Sequence, residues 1–353
     1  MIRASLAVLI AALPVPLAAQ STTPLFAADA PIRIELRGPI STIAKGSRYK
    51  PVPHAAQLSL SGAGERHAVM LTARGITRLK RETCQFPPLR VEFGAAPAAP
   101  SLFSKQRRLK LVTHCRPAEK FQQHVLLEYA AYRLYNLLTP ASFRARLATI
   151  DYVDDNGTAL ISRVGFFLED KDDIGRRVGL RSAAVADSIA SGRLDPRAAA
   201  RFALFQYMIG NLDWSMRAGP KGAGCCHNSR LFAAPGAPAD GANLVTIPYD
   251  FDFSGLVDAP YAVPPEGMSV STVRQRLYQG LCRHNGEALA AAVEFRSKHA
   301  ALLAELARVP GLDERSRRKA TAYLEGFFAD IATDERVSDN VLTRCVAPLK
   351  RPG

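Results

Sequence analysis

The sequence predicts an α+β chain of two lobes, a mainly antiparallel β half containing one helix, followed by a mainly α half. Three observations carry this. Short segments alternating apolar and polar residues fill the stretch from Ile32 to Val112, one long amphipathic segment follows them, and from Arg176 onward the apolar spacing turns helical. After removal of a leader, roughly 330 residues remain, enough for a core in each half.

Taken in order, the first twenty residues read as a secretory signal peptide. Arg3 precedes the apolar run Ala4 to Leu13, and Pro14 to Ala19 ends in small residues. That run is short for a bilayer, and no later stretch supplies the ~20 apolar residues of a transmembrane helix. The mature protein is therefore expected to be periplasmic or secreted and not membrane-spanning.

From residue 21 to about 172 the chain reads as the β-rich half. Ile32 to Leu36, Gln57 to Leu60, His67 to Thr72, Leu89 to Phe93 and Arg108 to Thr113 alternate between Gly, Pro and Ser breaks, which suits an antiparallel sheet. Ala118 to Leu138 places Val125, Leu126, Tyr129, Tyr132 and Leu137 at helical spacing. Ala148 to Val153 and Ala159 to Phe167 flank Asn156-Gly157, a hairpin signal, so strands resume after the helix. Residues 173–353 read as the α-rich half, with helices expected over Ala183 to Ser191, Pro196 to Gly210, Ser271 to Arg283, Asn285 to Arg308 and Glu314 to Thr333.

Six cysteines, Cys84, Cys115, Cys225, Cys226, Cys282 and Cys345, make an even count suited to disulfides in an oxidising compartment. The sequence does not choose the pairing, although the adjacent Cys225 and Cys226 are expected to bond to different partners and to staple the loop that carries them. No Cys-x-x-Cys spacing supports zinc. Forty-six basic against 32 acidic residues give a net charge of +14. This favours an anionic partner, such as an envelope component or a phosphoprotein. Nucleic acid is not expected, because basic and aromatic residues are not interleaved.

The chemistry-bearing residues lie in two acidic loops, Gly210-Asn211-Leu212-Asp213-Trp214 and Pro248-Tyr249-Asp250-Phe251-Asp252-Phe253, with Cys226-His227-Asn228 between them. Phosphoryl transfer uses one carboxylate to orient or deprotonate the attacking hydroxyl, while a second carboxylate and an amide oxygen hold a divalent cation. Asp213 fits the first role. Asp250 and Asn228 fit the second, for Mg²⁺ or Mn²⁺, with Asp252 as a further candidate ligand; an ordinary turn carboxylate is the plainer reading of each. Lys110 lies on a strand and Glu128 eighteen residues later on the next helix. That spacing is close to the lysine and helix-glutamate pair that grips phosphates in kinases. Arg74 and Arg90 are further phosphate contacts, since a guanidinium grips phosphate through two parallel hydrogen bonds. Neither Gly-x-Gly-x-x-Gly nor Gly-x-Ser-x-Gly occurs, so a usual glycine-rich loop and a serine hydrolase are both disfavoured.

Here a family resemblance enters. Arg74-Gly75-Ile76-Thr77-Arg78 followed by Cys84 to Phe93 resembles the Arg-Gly-Asn-Ser/Thr segment and the Lys-Lys-x-Tyr-Arg-x-x-Phe segment of the spore-coat CotH-like kinases. Asn211-x-Asp213, Asn228 and Pro248 to Asp252 resemble that family's catalytic and metal loops and, more distantly, those of HipA-like kinases. Ile76, Pro87 and Pro88 depart from the pattern, and Gly219 to Cys225 is an insertion. The resemblance implies a protein-kinase-like two-lobed fold and a metal-dependent phosphotransferase using ATP or another nucleotide on a protein or envelope acceptor. The alternative is a catalytically inactive module that binds an anionic envelope polymer or protein.

Overall fold

A computed structural model describes residues 22–46, 49–220 and 224–347. The leader assigned to residues 1–20 lies outside the described residues. The elements run β1 (Ile32–Gly38), α1 (Ile40–Lys45), β2 (His54–Leu60), β3 (Arg66–Ala73), β4 (Leu89–Phe93), β5 (Arg108–Val112), α2 (Gln122–Leu138), β6 (Ala145–Asp154) and β7 (Ala159–Leu168). These seven strands form a closed barrel in the order β1-β2-β3-β4-β5-β7-β6, with β6 returning to β1.

This closure overturns the expected two-lobed, protein-kinase-like fold with an antiparallel N-terminal sheet. Six of the seven contacts between neighbouring strands are antiparallel, but β1 runs parallel to β6, with Ile34 opposite Ile150 and Leu36 opposite Tyr152. The barrel is therefore mixed, and closing it leaves no free edge whose N–H and C=O groups must be protected from pairing with another chain. The alternation of each strand survives: Leu89, Val91 and Phe93 of β4 are buried while Arg90 is exposed. Leu36, Leu58, Leu71, Val91, Leu111 and Ile150 fill the interior at 0% exposure.

Helix α2 packs on β6 and β7 and opens a second core. After it come α3 (Lys171–Val178), β8 (Arg181–Ser182), α4 (Pro196–Ile209), β9 (Ser229–Ala233), β10 (Val245–Pro248), α5 (Asn285–Ser297), α6 (His299–Ala307) and α7 (Glu314–Asp330). Strands β8, β9 and β10 form a small antiparallel sheet beside the helices. The sequence sets the limits of α4: the Asp195 carboxylate accepts from the Ala198 N–H, Pro196 starts the first turn, and Gly210 ends the helix at φ +63°.

Three helical expectations change. Ala183 to Ser191 is not helical, because its backbone bonds outward, Ala183 N–H to Leu231 and Ile189 N–H to Arg217. Ser271 to Arg283 is also irregular. Its end is tied to the C-terminal segment by the Leu281–Val346 bridge and the Cys282–Cys345 disulfide. The long helix expected from Asn285 to Arg308 divides at Lys298 into α5 and α6.

All six cysteines are paired, as Cys84–Cys115, Cys225–Cys226 and Cys282–Cys345. Cys225 and Cys226 bond to each other rather than to separate partners. Disulfides of this kind persist in oxidising compartments. Among the described residues no helix is long and apolar enough to cross a membrane.

Candidate functional site

A cleft of about 640 Å³ opens beside the barrel, lined from one side by the β3–β4 region and β5 and from the other by the two acidic loops and β9. Asp213, Asn228, Asp250, Asp252, Lys110, Arg74 and Arg90 all line it, so seven of the eight residues selected from the sequence for chemistry meet there. The eighth, Glu128, lies beneath it on α2 at 2% exposure.

The local chain explains how Asp213 is held. Gly210 ends α4 in the left-handed region, its carbonyl accepts from the Gly255 N–H at 3.0 Å, and a Cβ there would overlap the Tyr323 hydroxyl. Asn211 is buried, and its side-chain oxygen accepts from the Asp213 N–H at 3.1 Å. The Trp214 indole N–H donates to the Asn211 carbonyl at 2.9 Å. One Asp213 carboxylate oxygen accepts from His227 Nε2 at 2.7 Å and the other from the Asn228 amide at 3.0 Å. Hydrogen bonding to Asp213 raises the proton affinity of His227 against the opposing effect of burial. The Asn228 amide nitrogen also donates to the Asp213 carbonyl, at 2.7 Å, which commits that nitrogen to Asp213.

Asp250 and Asn228 both take φ values of the left-handed region, +65° and +47°. Only a few non-glycine residues do this, with Asn and Asp favoured among them, and such positions cluster at working sites. The Asp250 N–H is fixed by the Tyr132 hydroxyl of α2 at 2.8 Å. Oxygens of Glu128, Asp250 and Asp252 lie within 4.8 Å of one another, a grouping that could hold a metal ion. Glu128 Oε1 is buried without a hydrogen-bond partner.

In this chain the Arg78 guanidinium occupies the middle of that trio. Nη1 donates to Glu128 at 3.1 Å, Nη2 to Asp250 at 2.7 Å, and Nε lies 3.3 Å from Asp252. One cation cannot compensate three carboxylates in so dry a place. Burial, opposed by Arg78 and reinforced by the neighbouring carboxylates, pushes Glu128 up to about 8 and Asp252 up to about 6. Burial acts on Asp250 in the same sense, but Arg78, Arg74 and Lys110 outweigh it and hold this carboxyl below its ordinary value. Asp250 is thus the carboxyl of the trio held most firmly in its ionised form, and its side chain is 34% exposed against 3% for Glu128 and 6% for Asp252.

The expected pairing of Lys110 with Glu128 does not occur, because Arg78 reaches Glu128 first. Lys110 points instead at aromatic rings, with Nζ 4.8 Å from the Tyr249 centroid and 6.0 Å from Phe143. Burial, then the neighbouring Arg74 and Arg230, lower its pKa to about 7. Arg230 Cζ also lies 4.8 Å from the Tyr249 centroid.

Arg78, His227 and Arg230 received no role in the sequence reading. Arg78 sat inside the Arg74-to-Arg78 motif, and Arg230 lies two residues after Asn228 on β9, spacings that would have marked both. His227 follows Cys226 in the chain, and its side-chain partner is Asp213. No protein-family model matches this chain, and no curated protein matches it significantly in sequence.

Proposed function

We propose that the chain is an exported, divalent-cation-dependent phosphotransferase that moves a phosphoryl group from ATP or another nucleotide to a hydroxyl of a protein or envelope acceptor. The reading rests on one observation: the oriented carboxylate of Asp213, the carboxylate of Asp250 and four cations share one cleft. It does not depend on a kinase-like fold. The motif resemblance to CotH-like kinases supports it through the same residues.

Asp213 is the base. Its oxygens are fixed by His227 and Asn228, so a hydroxyl entering the cleft meets a carboxylate already aimed. The acceptor oxygen forms a bond to phosphorus, the bond to the donor's bridging oxygen breaks, and the hydroxyl proton passes to Asp213. Asp250 and the Asn228 side-chain oxygen are the groups left to hold Mg²⁺ or Mn²⁺, since the Asn228 nitrogen is committed to Asp213 and Arg78 covers the inner side of the trio. A divalent ion there supplies charge neutralisation on the transferred phosphates. Lys110, Arg74 and Arg90 from the barrel side and Arg230 from β9 bind and orient the phosphates.

Transfer of γ-phosphate from labelled ATP, with Mg²⁺ or Mn²⁺, to the protein itself and to a panel of hydroxyl acceptors tests the reading. Asp213→Asn and Asp250→Ala are each expected to lower the rate by roughly 10²-fold or more, in line with the loss of a general base or a metal ligand. Wild-type protein that transfers nothing under any of these conditions overturns it. Arg78, sitting where a cation would sit, favours the second reading, an inactive module that binds an anionic polymer or protein; in that case binding survives Asp213→Asn and Asp250→Ala while transfer is never seen.

A further inference from the structure

Four cations line the cleft, three from the barrel side and one from β9 facing them. Among the described residues none of the four is in ion-pair contact with an acid, although Arg74 and Lys110 feel the charge of Asp250. Arg74 follows β3, Arg90 is on β4, Lys110 on β5 and Arg230 on β9, and all four line the cleft. Among the described residues none of them belongs to an ion pair, although Arg78 beside them holds three carboxylates. Arg90 and Lys110 are direct cross-strand partners, an arrangement in which like charges oppose the sheet. Arg74 and Arg230 each make it harder for Lys110 to hold its proton. Four converging, mutually repelling cations cost the native state stability, so their arrangement suits an anionic ligand.

The spread of the four selects the anion. They come from four separate segments, Arg90 and Lys110 adjacent across the sheet and Arg230 reaching Tyr249 from the opposite side of the cleft. A single phosphate engages one or two guanidinium forks, whereas a row of cations from different elements matches a chain of linked phosphates. The cleft around these cations offers little to read a base. Tyr249 already has Lys110 and Arg230 against its ring, and Gly75, Ile76 and Pro88 beside it carry no side-chain donor or acceptor. Phe253 lines this cleft and also the smaller pocket beside Asp213.

We propose that these four cations recognise a chain of three or more linked phosphates and not the nucleoside, so that inorganic tripolyphosphate and a nucleoside triphosphate bind alike through Arg74, Arg90, Lys110 and Arg230. This deepens the phosphotransferase reading by naming what the donor must contain, and it takes from that reading only the location of the site. A free inorganic polyphosphate and a nucleotide share this chemistry, and the test separates them.

Calorimetric titration of the intact exported chain at fixed ionic strength with MgCl₂ compares sodium tripolyphosphate, ATP and adenosine. Tripolyphosphate and ATP are expected to bind with Kd values within about threefold of each other, adenosine not at all, and Arg74→Ser and Arg230→Ser to weaken both phosphate ligands by about tenfold. Arg318→Ser, remote on α7, controls for general attraction to a basic protein, and circular dichroism checks that each variant is folded. Binding of adenosine, or ATP binding more than about thirtyfold tighter than tripolyphosphate, overturns the inference while leaving phosphotransfer standing. Tripolyphosphate binding that is indifferent to Arg74→Ser and Arg230→Ser also overturns it, as surface attraction. Tripolyphosphate binding of the expected kind without any transfer leaves the inference intact and removes the phosphotransferase reading; no binding of either phosphate ligand removes both.

Discussion

Arg78 governs the acidic side of the cleft, because its three nitrogens each hold a different carboxylate. Arg78→Met would keep most of the stem's packing but leave the trio without its internal cation. Removing one partner of a buried pair costs about 3–5 kcal/mol, and a loss of that order is expected in urea unfolding. If Glu128 is the strained member, Arg78→Met combined with Glu128→Gln will recover part of the loss; a cost below about 1 kcal/mol for Arg78→Met alone would show that the trio needs no cation. A second buried group gives a pH prediction. His114 is 3% exposed, stacks on Phe86 at 4.8 Å, and its Nδ1 has no partner. Burial, assisted by Arg163, lowers its pKa to about 4. The unfolded chain takes up the proton near pH 6.5 and the folded chain only near 4, so the neutral ring favours folding above pH 6.5 and that advantage is lost as pH falls between the two values. The loss reaches about 3 kcal/mol at pH 4. Urea unfolding across that window is expected to show this slope in the wild type and a flatter one in His114→Phe.

The element that delivers Asp213 is α4 with its glycine stop. Gly210 needs its left-handed φ and has no room for a side chain against Tyr323, so Gly210→Ala combines a backbone penalty of about 1–2 kcal/mol with displacement of that hydroxyl. Thermal unfolding is expected to register the loss, and Tyr323→Phe, which removes the overlapping oxygen, to restore part of it; full additivity of the two changes would mean that the contact carries no weight. The start of this helix at Pro196 was legible in the sequence, because caps are local chemistry, whereas Gly210 was expected inside the helix and instead ends it. Strands β1 to β5 were legible for the same reason, through alternation in each. The parallel contact of β1 with β6 was not, since alternation states which face is buried and never names a partner more than a hundred residues away. Two apolar stretches, Ala183 to Ser191 and Ser271 to Arg283, imitated helices while their hydrogen bonds went to other segments. In the cleft, the residue types and their loops were readable, but the choice of Arg78 over Lys110 for Glu128 depends on side-chain reach across strands and helix, which spacing along the chain cannot encode.

At the scale of the molecule, the cleft lies where barrel and helices meet, so each of its walls is only as fixed as the core behind it. Two of the disulfides stand in different relation to the cleft. Cys84–Cys115 closes a loop of 31 residues between the β3–β4 region and the end of β5, next to the cationic wall. Cys282–Cys345 closes 63 residues and ties the C-terminal segment to the start of α5, away from the cleft. Cross-links of these lengths contribute, by restricting the unfolded chain, about 4 kcal/mol each. Replacing Cys282 and Cys345 together with serine is therefore expected to lower global stability on that scale while leaving tripolyphosphate affinity unchanged. Replacing Cys84 and Cys115 is expected to do both, lowering stability by a similar amount and weakening tripolyphosphate, because the segment bearing Arg74 and Arg78 loses its tether to β5. Chemical unfolding and titration on the same two variants separate these effects. Equal loss of affinity in both would mean that the cleft responds to overall stability and not to the local brace on its cationic wall.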